Sequence, residues 1–389
     1  MQTYCLAAIM LAGLMSLTLG GGAARAENFS LLHTFTGNPD GDTPEAALIN
    51  VDGTLYGTTF FGGDNYSGSV YSITPAGVET VLYSFTGGAD GGGPAASLLK
   101  IGGILYGTTD GGGGGCGTVF KMTPAGVETV LYAFKCGPND GDGPEASLIK
   151  VNGALYGTTA GGGSNDRGTV FKVSETGKET VLHSFGADGD GSYPEAGMID
   201  VGGTLYGTTS AGGVEDYGTV FTISPHGREN VLYVFQPGTD ASNPDAPLLN
   251  VGGTLYGTGG GGAYMCEKGN YSCGAVFKIT TSGKETVLYS FRGKPDGMYP
   301  AAGLIDVNGD LYGTTAGGGA GRNCAGEGCG TIFKLTLAGA ETIVHSFSVD
   351  EGVQPYASLL KVGHLLYGTT HAFGDVDNAR GTVFAVSHH

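Results

Sequence analysis

Apolar residues along this 389-residue chain fall in short runs, and no long stretch shows the 3.6-residue period of a helix. In ETVLYAF (128–134) Val130, Tyr132 and Phe134 share one face of an extended chain while Leu131 and Ala133 share the other. Both faces are apolar or small, as in a sheet buried between two neighbours. Three similar runs precede it: ASLLKI (96–101), GGILYGTT (102–109) and GTVFKMT (117–123). Turn signals separate them at Gly102-Gly103, at the glycines 111–115 and at Pro124-Ala125-Gly126, so the segment predicts four strands.

The same unit recurs along the chain. Its LYGTT motif places Tyr56, Tyr106, Tyr156, Tyr206, Tyr256, Tyr312 and Tyr367 at steps of 50, 50, 50, 50, 56 and 55, the fifth copy reading LYGTG. Periods of this length made only of short strands point to propeller blades, because each unit leaves an apolar face that its neighbour must cover. LYGTT reads as a buried second strand, with Leu and Tyr on opposite faces and Gly making room for a ring or backbone of the adjacent blade. SLLHTF (30–35) matches a fourth strand and GTVFAV (381–386) a third. The expected fold is therefore all-β: a single seven-bladed β-propeller with four antiparallel strands per blade. The N-terminal strand is expected to complete the last blade, which removes two exposed sheet edges.

Composition narrows the rest. Seventy-seven glycines without a triplet period exclude collagen, and a net charge of -18 opposes binding to nucleic acid. Residues 1–26 carry an apolar stretch followed by Ala24-Arg25-Ala26 and read as a secretory signal, although no Lys or Arg precedes the apolar run. A mature propeller over 27–389 is expected, secreted or in the periplasm or cell envelope, monomeric and without a membrane span. Cleavage removes Cys5 and leaves six cysteines, whose spacing suggests disulfides Cys116–Cys136, Cys266–Cys273 and Cys324–Cys329. Zinc is the rival reading, but no CxxC pair occurs and no His lies near in sequence.

The combined pattern LYGTT, GG, GTVFK(I/M)T, G(V/K)ETVLYSF and DGxxPEAxLI resembles the GloVer-type tandem propeller repeat of exported bacterial proteins. The resemblance covers nearly everything after the leader. It implies a propeller and supplies no catalytic residue to carry over.

Candidate chemistry lies in the loops, since a propeller's second-to-third and fourth-to-first loops are expected to share one rim. An acid stands four residues before each repeated Pro, at Asp40, Asp90, Asp140, Asp190, Asp240, Asp296 and Glu351, while Glu45, Glu145, Glu195 and Asp245 follow the Pro. Turn capping explains the first set most simply. A calcium site at Asp40, Asp42, Asp140 and Asp142 is the sharper alternative. Glu45, Glu145 and Glu195 are candidate acids or bases for glycoside cleavage, although repetition argues against an asymmetric catalytic pair.

The second-to-third loops differ most between units. They offer Phe60, Phe61, Tyr66, Arg167, Tyr217, Tyr264, Tyr271, Arg322, His371 and Phe373 as ligand-binding candidates. His371 is the one histidine in this loop class and, with Arg380, a candidate base. His33, His183 and His345 instead take the Tyr slot of the fourth strand and read as packed ring substitutes. No P-loop, GxSxG, HExxH or CxxCH motif occurs, so no nucleotide, nicotinamide or haem cofactor is expected. The expectation is a non-catalytic recognition or scaffold propeller with a glycan or protein partner on its rim. The alternative is an extracellular carbohydrate-active enzyme, a polysaccharide lyase or glycoside hydrolase.

Overall fold

The computed structural model describes residues 28–187, 189–266, 271–324, 326–372 and 380–388, so the leader lies outside the described residues. Its strands form seven four-stranded antiparallel sheets, with no helix among the described residues. Blade 1 runs Ile49–Val51, Thr54–Thr59, Ser69–Ile73 and Glu79–Ser84. Blades 2 to 6 repeat that order. Blade 7 combines Leu360–Val362, Leu365–Thr370 and Thr382–Ser387 with Phe29–Thr34, in which Phe29 pairs with Val386 and Thr34 with Thr382. The first strands of successive blades adjoin one another around the axis and are therefore innermost.

A two-residue turn joins the first and second strands, with Asp52 and Gly53 at φ of +54° and +92°, the left-handed pair that a tight hairpin requires. The first strand is shorter than the sequence suggests: in blade 2 only Leu99–Ile101 pairs as a strand. The residues before it spend their backbone groups sideways. Ala96 O accepts the Thr58 hydroxyl of the previous blade at 3.4 Å, and Ala47 N donates to Ser97 Oγ of the next blade at 3.0 Å.

That threonine bond explains part of the LYGTT repeat. The first Thr of every copy donates to an alanine carbonyl of the next blade at 3.1 to 3.5 Å, ending with Thr369 to Ala46 across the closing seam. A second sevenfold contact accompanies it. The Phe that directly follows each fourth strand packs edge-on against the third-strand ring of the next blade, from Phe35 on Tyr71 to Phe347 on Phe384, at 5.0 to 5.2 Å between centroids. Burying each such ring contributes roughly 2 to 3 kcal/mol, so these seven junctions are a large part of what holds the blades together.

The glycine of LYGTT has a different neighbour from the one expected. A Cβ on Gly107 would lie 2.5 Å from the ring of Phe120, its cross-strand partner in the same blade, rather than against the adjacent blade. Cross-strand neighbours sit closer than stacked sheets, and the ring that fills the gap is the one that Phe85 of the preceding blade packs upon.

Candidate functional site

Small ribbons fix both loop classes on one rim. Gly41–Asp42 pairs with Phe61–Gly62, and Gly297–Met298 with Gly317–Gly318, tying each fourth-to-first loop to the second-to-third loop that follows it. Three disulfides stiffen this rim as the spacing suggests: Cys116–Cys136, Cys266–Cys273 and Cys324–Cys329, with Cα separations of 5.6, 4.9 and 5.5 Å.

The acids before the repeated prolines are bound into their own turns. Asp140 accepts Tyr132 Oη at 2.7 Å, Lys135 N at 2.9 Å and Gly141 N at 2.8 Å. Asp40 accepts Thr36 N at 3.0 Å and faces His33 Nε2 at 3.2 Å. Asp42 accepts the Thr43 hydroxyl, and burial followed by Asp166 raises the Asp142 carboxyl. The calcium candidates thus stand in two loops of different blades, Asp40 with Asp42 and Asp140 with Asp142. His33, His183 and His345 sit edge-on to Phe35, Phe185 and Phe347, and each reaches the turn acid that Tyr reaches elsewhere.

The acids after the prolines do converge. Glu45, Glu145, Glu195 and Asp245 ring the mouth of the central channel, a space of about 150 Å³, with Tyr356 in the corresponding position of blade 7. His371 Nδ1 lies 3.1 Å from Glu45 Oε1 without hydrogen-bond alignment, and its ring meets Tyr356 edge-on at 5.4 Å. Glu145 and Asp245 are exposed at the mouth, yet the surrounding protein desolvates their carboxyls. Burial, and then Asp110, Glu195 and Glu45, push Glu145 up to about 7; burial, and then Glu195, push Asp245 up to about 7. Near neutral pH Glu145 and Asp245 therefore each exchange between protonated and ionised forms. Tyr356 is legible in the sequence only as one of three residues, with Ala95 and Ala301, that interrupt the acidic column after the repeated Pro. Arg380 is directed elsewhere, its guanidinium packing over Gly37.

A second feature lies further out on the same rim. Loops of blades 4, 5 and 6 enclose a groove of about 540 Å³ whose walls include Tyr217, Ser242, Asn243, Met265, Tyr271 and Tyr299. Tyr271 is 70 % exposed and Met265 58 %, a large apolar surface to leave in water. Beside it the Arg292 guanidinium stacks on Tyr264 at 5.1 Å. The Cys266–Cys273 staple holds the hairpin that presents Tyr264, Met265 and Tyr271. Tyr299 and Asn243 come from fourth-to-first loops, each directly before a repeated Pro, and sequence reading passed over them. The same slot in blade 3 holds Tyr193, whose ring and hydroxyl engage Arg167 at 5.3 Å and 3.2 Å.

The remaining candidates are dispersed. Phe60 packs edge-on against Phe61 at 4.7 Å; Phe61 and Tyr66 are exposed on blade 1. The Arg322 carbonyl accepts Val349 N, and Phe373 lies outside the described residues.

Fold and rim together define a seven-bladed β-propeller built from one tandem repeat, with an acidic channel mouth and an aromatic groove. The family model described as the Gloeobacter/Verrucomicrobia repeat matches residues 15–213 and 188–384, and the chain belongs to that family. No curated protein sequence matches it. Among solved structures it is similar to a gluconolactonase from Xanthomonas campestris, at 15% identity and a TM-score of 0.43, covering 74% of this chain and 86% of that one. A luciferin-regenerating enzyme aligns at 12% identity and 0.43 over 93% and 95% of the two chains. A europium-containing methanol dehydrogenase aligns at 9% and 0.49 over 92% and 93%. At these values no activity carries across.

Proposed function

We propose that this protein is an exported recognition propeller that binds a neutral glycan chain in the rim groove of blades 4 to 6, without catalysis. The observation that carries the reading is the groove's composition. Tyr217, Tyr271 and Tyr299 offer rings for the apolar faces of sugars, and Ser242 and Asn243 offer hydrogen bonds that fix orientation. Its described walls contain no Asp, Glu or His to act as acid or base, and no Lys or Arg to attract an anionic polymer. The acids offered for the alternative, Glu45, Glu145 and Glu195, lie instead at the channel mouth, whose space is under a third of the groove's. Three disulfides suit an oxidising compartment outside the cytosol.

Affinity electrophoresis against a panel of neutral polysaccharides tests the reading. Tyr217→Ala and Tyr271→Ala are each expected to weaken retardation roughly tenfold, in line with the loss of one stacked ring, at unchanged melting temperature for the exposed Tyr271 and at a lower one for Tyr217, whose half-buried ring packs on the core. Retardation equal to wild type in both variants would move the binding site away from the groove.

A further inference from the structure

At each boundary between blades the ring slot of one fourth strand, the turn acid after it and the first residue of the next fourth strand come together. In four boundaries these are Tyr, Asp and Glu, as in Tyr83, Asp90 and Glu128, with the phenol donating to the Asp at 2.7 to 3.0 Å. Three boundaries substitute His for Tyr, and two of these keep both acids. In His33–Asp40–Glu79 and in His183–Asp190–Glu229 the three ligating atoms lie within 4.8 Å of one another. The substitution exchanges a hydroxyl donor for a ring nitrogen that offers a lone pair.

These two histidine boundaries differ in what their carboxylates have left to give. Asp190 Oδ1 already accepts Gly191 N at 2.7 Å. The Glu Oε1 is buried without a hydrogen-bond partner at both, as it is at the four Tyr boundaries, but only at the first is an oxygen of the turn acid, Asp40 Oδ1, also left without one, an arrangement that costs free energy unless something positive or protic meets it. Asp40 and Glu79 also line a groove of about 490 Å³. The third fourth-strand histidine provides an internal contrast. His345 pairs with Glu351, but Phe29 replaces the Glu and stacks on the imidazole at 4.3 Å and 7°, leaving no third ligand.

We propose that His33, Asp40 and Glu79 bind a divalent transition-metal ion of the zinc class, tying the closing strand of blade 7 to blade 1. One imidazole with two carboxylates favours zinc, cobalt or nickel over calcium, which prefers six to eight oxygens. Bonds of about 2.0 to 2.2 Å draw the three atoms closer than they now stand, a movement within the reach of side-chain rotamers, and water fills the remaining positions.

The test is zinc titration of the tag-free chain after chelator treatment, by calorimetry and by thermal melting. His33→Tyr is the informative variant, because four sister boundaries carry Tyr in this slot and the fold accommodates it. Wild type is expected to bind one more equivalent of zinc than His33→Tyr, and zinc is expected to raise the melting temperature of wild type more than that of the variant. Glu79→Gln is expected to lose the same equivalent and covers the case in which His33→Tyr does not fold. Equal zinc stoichiometry in wild type and the folded variants overturns the proposal, as does an absence of zinc binding to wild type.

Discussion

Tyr71 stands where the other six third strands carry Phe, and its ring packs against Phe35 at the closing seam as those rings do elsewhere. Its hydroxyl is fully buried beside Gly57 and has no hydrogen-bond partner. An unsatisfied buried hydroxyl costs about 1 to 3 kcal/mol, so Tyr71→Phe is expected to stabilise the protein by about 1 kcal/mol, seen as a higher midpoint in urea unfolding. An unchanged or lower midpoint would mean that the hydroxyl is satisfied in solution. At this scale the sequence was legible in part. Three histidines in a Tyr column read correctly as packed rings, because a column shows what a slot tolerates. That Thr58 reaches the Ala96 carbonyl was not legible, because a repeat displays recurrence in both residues without saying that one bonds the other.

The fourth strand carries the clearest titration. Glu79, Glu128, Glu179, Glu285 and Glu341 open this strand in five blades, and burial first, then the turn acid of the preceding blade, pushes each up to about 7; Glu229 is pushed up to about 6. Unfolded, these groups titrate near 4.3. The folded state therefore holds more protons between about pH 4.3 and 7, and stability falls as pH rises through that window. The melting temperature is expected to be higher at pH 5 than at pH 8, and Glu→Gln replacements at these positions are expected to flatten the difference. A melting temperature that rises from pH 5 to pH 8 would contradict the assignment. All four strands of a blade and all three disulfide pairings were legible from period and spacing, while the first strand's true length was not. Its leading residues look like strand, but their backbone groups bond to the neighbouring blades, which no pattern within one unit reveals.

At the scale of the whole molecule, closure and the groove are the two claims. Phe29–Thr34 completes blade 7 by pairing along Thr382–Ser387, and Phe29 adds rings to a seam where the other blades place Glu. A chain beginning at Thr36 would expose the edge of Thr382–Ser387 and lose Phe29 and Phe35 from the seam. It is expected to elute as aggregate in size-exclusion chromatography, where the chain retaining residues 28–35 elutes as a compact species. The ring of seven blades was legible because each end of the chain supplies part of one four-strand unit. The groove was legible only along the edge given by Tyr217 and Tyr271, since its opposite wall comes from loops whose Asn243 and Tyr299 sit in otherwise regular turns. The central functional claim, recognition without turnover, is tested most directly by incubating purified protein with a panel of neutral polysaccharides and measuring co-sedimentation and released product in the same samples. Wild type is expected to be retained on at least one glycan and the Tyr217→Ala Tyr271→Ala double variant to lose that retention, with no product from either. Product formation, or no retention on any glycan of the panel, would contradict it.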